Sequence, residues 1–101
     1  MQIPEEFNQF VIGIYPGIPR DGESLESLAA AGLEMTSVKT RRAVLAFLNE
    51  LLDGGYSDAD IEEAWNMQSP SYNFSAGGHR VFLEIVRRQI IADKEKTRPG
   101  S

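Results

Sequence analysis

SVKTRRAVLAFLNELLDGGYSDADIEEAWNMQ, residues 37–68, decides the fold. It spells a helix, a stop and a second helix. Val38, Val44, Leu45, Leu48, Leu51 and Leu52 recur three and four residues apart, the spacing that lays side chains along one helical face. Gly54-Gly55 ends that helix, because glycine enters the left-handed backbone of a C-terminal cap without a Cβ penalty. Ser57 follows as a cap, with Asp60 three residues on, where its carboxylate reaches back. Tyr56 and Ile61 occupy the two positions of a hydrophobic staple. Ile61, Ala64, Trp65 and Gln68 continue one face. The unit is a helical hairpin or corner.

Upstream, Pro4 stands as a first helical residue, and Glu5 and Glu6 complement the N-terminal dipole. Phe7, Phe10, Val11 and Ile14 form a stripe, so a short helix is expected from Pro4 to Ile14. Pro16, Gly17, Pro19 and Gly22 make residues 15–22 a loop, read first as a connection. Ser24 caps a helix carrying Leu25, Leu28 and Ala29, which Gly32 closes. Thr36 or Ser37 starts the long helix.

Downstream, Pro70 disfavours helix at Ser69 and opens a loop with Tyr72 and Phe74. Phe74 turns back to the core; Tyr72 either packs there or projects. A last helix runs from Gly77 or Gly78 to Lys94 on a stripe of Phe82, Ile85, Val86, Gln89 and Ile90. Glu84 and Arg88 are spaced to pair, and Arg87, Arg88, Lys94 and Lys96 complement the helix dipole. The fold class is all-α: a single small domain over residues 1–96, a four- to five-helix bundle around a central helical hairpin. Residues 97–101 form a flexible tail.

Composition narrows the function. One core fits in 101 residues, and a net charge of −5 argues against direct nucleic-acid binding, which rests on neutralising phosphates. No cysteine is present to make a disulfide or thiolate site. Glu5 and Glu6 do not suit a signal peptide, and no apolar run is long enough to span a membrane, so the expectation is a cytoplasmic protein with no membrane partner. His79 is the sole histidine and reads as a surface or capping residue. Zincin, EF-hand and nucleophile-elbow spacings are absent. No catalytic, cofactor-binding or metal residue is therefore assigned, and the chain is not expected to be an enzyme. A pocket gathering His79 with two carboxylates would revive that possibility.

Charge segregation is more informative. Between Arg42 and Arg80 there is no lysine or arginine, yet the interval holds Glu50, Asp53, Asp58, Asp60, Glu62 and Glu63. Asp58 and Asp60 also suit a helix N-terminus, and the others keep a surface soluble. Crowded like charges cost stability, however, and an acidic patch steers and holds a basic partner. These six residues, with Tyr72 and Asn73 of the aromatic loop, are the candidate partner-binding set. Trp65 is either core, as its stripe suggests, or a hot spot at the patch edge.

In order and spacing, several segments resemble one helical family of immunity proteins from bacterial contact-dependent growth inhibition systems. These are Phe10 in a short first helix, Phe47-Leu48-Asn49-Glu50-Leu51-Leu52, and Gly55-Tyr56-Ser57-Asp58-Ala59-Asp60-Ile61-Glu62. The Tyr72-Asn73-Phe74 loop and the Arg80–Arg87 helix complete the set. The resemblance covers about Phe7 to Ile90. It implies a cytoplasmic antitoxin that binds and neutralises the C-terminal toxin domain of a large exported protein, in many cases a nuclease with a basic cleft. The alternative is a helical interaction module or dimerising regulator using the Tyr72 loop or the basic last helix.

Overall fold

The computed structural model of the chain describes residues 2–14, 25–68, 70, 74 and 77–96, with backbone only at 94–96. Among these there are five helices and no strand: α1 (Glu5–Ile12), α2 (Leu25–Glu34), α3 (Val38–Asp53), α4 (Asp58–Asn66) and α5 (Gly78–Lys96). The expected tail at 97–101, the Ser24 cap and the loop at 15–22 lie outside the described residues. Helix α5 is the organising element, packing on α2, α3 and α4, while α1 packs on α3. The α3–α4 unit is thus a corner whose two arms are joined through α5. Phe7, Phe10, Leu48, Leu51, Ile61, Trp65, Phe82 and Leu83 bury their side chains in one core.

The helix boundaries follow from local chemistry. Pro4 proves to be the N-cap of α1, with extended backbone, and its carbonyl accepts from Phe7 N–H at 3.1 Å. The helix begins one residue later than expected and ends at Gly13, whose N–H returns to Gln9 and Phe10 carbonyls. Ser37 caps α3 by accepting from Thr40 N–H at 3.1 Å. In the preceding turn Arg41 donates to the Thr36 carbonyl and hydroxyl, at 3.1 and 3.2 Å. Gly54 stops α3 with ordinary backbone; Gly55 takes the left-handed step, at φ 83°. The capping box of α4 is complete: Ser57 Oγ accepts from Asp60 N–H, and Asp60 Oδ2 accepts from Ser57 N–H, both at 3.2 Å. Ser57→Ala is expected to lower stability by about 1 kcal/mol, read as a drop in urea midpoint at unchanged slope.

Four residues depart from the pattern reading. Gly32 does not close α2, which continues to Glu34; it lies against α1, where an added Cβ would stand 2.2 Å from Ile14 Cδ1 and 3.3 Å from the Phe10 ring. Its small size lets α1 and α2 approach. Val38 belongs to the α3 stripe by spacing yet is 61% exposed. Glu84 and Arg88 both stand exposed, and the ion pairs of the described residues join other partners across the fold. Gln68 ends the α4 stripe, buried. It accepts from Asn8 Nδ2 at 2.9 Å and donates to the Ala64 carbonyl at 3.0 Å, fastening α1 to α4.

Candidate partner-binding surface

The α3–α4 corner carries all six candidate acids, and the fold gives them different work. Glu50 is exposed in the last turns of α3. Asp53, at its end, accepts from Arg87 Nη1 at 2.9 Å; the same nitrogen donates to Asn49 Oδ1 at 3.4 Å. Asp58, opening α4, is bonded to Arg80 Nε, whose Nη2 donates to the Tyr56 carbonyl at 2.6 Å. Asp60 is committed to the capping box. Glu63 is exposed and Glu62 half-buried, and neither makes an ion pair among the described residues.

Arg80 and Arg87 lie seven residues apart on α5, so they share a face about 10 Å apart along the axis. They clip the two arms of the acidic corner to α5. Each pair joins an exposed aspartate to a half-buried arginine at the surface and adds about 0–1 kcal/mol; its larger consequence is to neutralise Asp53 and Asp58. The acids left without an ion pair among the described residues are Glu50, Glu62 and Glu63. Sequence reasoning missed this because the neutralising arginines lie at and beyond the end of the acid-rich interval. Their seven-residue spacing was the available signal. Tyr72 and Asn73 lie outside the described residues.

His79 is not a surface residue: it is 2% exposed at the start of α5. Its ring meets Trp65 edge-on at 6.0 Å and Phe74 at 5.3 Å, and Nε2 has no hydrogen-bond partner among the described residues. Burial pushes the imidazole below its ordinary value of 6.5, while the Glu62 carboxylate pulls the other way. An apolar cage around a lone ring explains why one histidine could not be placed from sequence alone.

Folding therefore favours the neutral ring. Its stabilising contribution is fully present above the unfolded value of 6.5 and is lost as pH falls through the folded value, since the unfolded chain takes up the proton first. Urea midpoints are expected to drop as pH falls below 6.5, and His79→Phe is expected to flatten that dependence. A profile unchanged by His79→Phe would assign the acid sensitivity to other groups.

No protein-family model, curated protein or solved structure matches the chain. Its own geometry therefore carries the functional reading. Among the described residues no three histidine, aspartate or glutamate side chains are grouped to hold a metal ion, and no helix is long and apolar enough to cross a membrane. What the corner offers is two exposed carboxylates, Glu50 and Glu63, with Glu62 half-buried, on a frame clipped twice to α5.

Proposed function

We propose that this protein is an immunity protein of a contact-dependent growth inhibition system, binding and neutralising a cognate C-terminal toxin domain in the cytoplasm. The observation that carries the binding part is the set of carboxylates at the α3–α4 corner without an ion-pair partner among the described residues, Glu50 and Glu63 exposed and Glu62 half-buried. The α5 arginines leave it unneutralised, and the capping box and core hold it in place. Such a surface complements a basic cleft of the kind a nuclease uses to hold phosphates. The toxin assignment adds the order of motifs from Phe10 through Arg87 that resembles the immunity family. Inhibition would follow from occlusion or from locking the toxin domain, with no covalent chemistry in either case.

The test uses the gene immediately upstream. Its last few hundred codons are expressed alone and together with this protein. Growth arrest by the fragment alone, relief on co-expression and a co-purifying complex are the expected results. A harmless fragment that forms no complex would sink the immunity reading.

A helical interaction module is favoured by a separate observation. Val38, 61% exposed, does not stand alone: it lines an open groove together with Leu45, Ala46 and Ile90, a contiguous apolar lining rather than a scattered one.

A further inference from the structure

The outer faces of α3 and α5 enclose an open groove of about 500 Å³. Val38, Leu45, Ala46 and Ile90 supply its apolar lining. Along α3 the lining runs from Val38 to Asn49, so the groove is about 16 Å long, three turns of a helix. A trough of that length with apolar residues at helical spacing matches the stripe that an amphipathic helix lays down through its i, i+3, i+4 and i+7 positions.

Charge selects among such helices. One flank of the groove is basic in a protein whose net charge is −5. Arg42 lines it, and Lys39, one turn earlier, is its neighbour on the helix surface. Both are exposed, and neither makes an ion pair among the described residues. Arg41 and Asp93, also in the lining, offset one another at 4.0 Å, and Arg41 is further committed to Thr36. The basic flank therefore rests on Lys39 and Arg42. At its far end the groove reaches Asn49, whose carboxamide accepts from the Arg87 nitrogen that also holds Asp53. The trough thus runs into the acidic corner. A second copy of this chain fits less well, because a two-fold pairing across the groove would bring two Lys39–Arg42 flanks into one interface.

We infer that the α3–α5 groove receives an amphipathic helix of a partner protein, with carboxylates along the edge that faces Lys39 and Arg42. The inference does not depend on the toxin reading, and relief of growth arrest does not test it. The probe is a pair of synthetic helical peptides of about 14 residues with identical leucine stripes, flanked by glutamate in one and lysine in the other. Each is titrated into the isotopically labelled full-length protein while amide shifts are followed. The glutamate peptide is expected to saturate with shifts at Val38, Leu45, Ala46 and Ile90, and to bind about tenfold tighter than the lysine peptide. Val38→Glu should weaken it about tenfold, and Arg42→Glu should reverse the preference between the two peptides. Were Val38→Glu to unfold the protein, Arg42→Glu and the peptide swap carry the test without it. Equal affinities, shifts confined to other surfaces or no binding overturn the inference. So would a dimer in sedimentation that Val38→Glu dissolves, since the occupant would then be a second copy.

Discussion

Trp65→Ala is expected to lower stability by about 3–5 kcal/mol, the largest effect of any single truncation in this fold. Trp65 is fully buried on α4, and among the described residues its ring meets Phe74 at 5.4 Å, Phe82 at 5.7 Å and His79 at 6.0 Å, each edge-on. Two of these belong to α5 and the third to the segment between α4 and α5, so the indole joins everything downstream of the corner. Its removal leaves a cavity bordered by stiff rings that cannot collapse into the space, and cavity cost adds to lost burial. A domain of this size has only about 5–15 kcal/mol in total, so a large share of its stability is at stake. The measurement is chemical unfolding followed by circular dichroism, because Trp65 is the sole tryptophan and its replacement removes the fluorescent probe. Trp65→Phe keeps a ring in place and is expected to lose clearly less. A loss below about 1 kcal/mol on Trp65→Ala would show that the aromatic cluster is not the centre of the core.

The same residue marks what periodicity reveals. Trp65 on the Ile61–Ala64 stripe was readable as core, because a 3.6-residue period reports which face is apolar. The capping box at Ser57 and Asp60 and the cap at Ser37 were readable as well, since their partners lie three residues away. What could not be read were contacts whose partners are remote in sequence. Gly32 looked like a stop signal because a lone glycine near a helix end usually is one. Only the approach of Ile14 and Phe10 shows that it serves packing instead. His79 looked polar and exposed until Trp65 and Phe74 were seen to enclose it. Asp53 and Asp58 looked like free charge until α5 brought Arg87 and Arg80 to them. The acidic interval was legible as a cluster; the division of that cluster into clipped and open members was not.

That division sets the second large effect. On the proposed function, Glu50→Lys combined with Glu63→Lys is expected to weaken binding to the proposed toxin domain encoded upstream by about 10- to 100-fold, with stability within about 0.5 kcal/mol of the parent per site. Both side chains are exposed, and neither makes an ion pair among the described residues, so reversal removes no internal tie. It also relieves crowding among like charges at the corner. Asp53→Lys and Asp58→Lys are different experiments. They would set a lysine against Arg87 or Arg80 and break a tie to α5, so lost binding would be confounded with a local structural change. The double variant separates the two. Calorimetry against the purified toxin domain at two ionic strengths is the measurement. The parent should lose affinity as salt rises, and the variant should lose much less, because screening acts on the charges the variant has already removed. Undiminished affinity in the double variant would remove the acidic corner from the interface. Continued relief of growth arrest alongside it would move the toxin contact elsewhere on the same fold, and the α3–α5 groove would be the next surface to reverse, at Arg42.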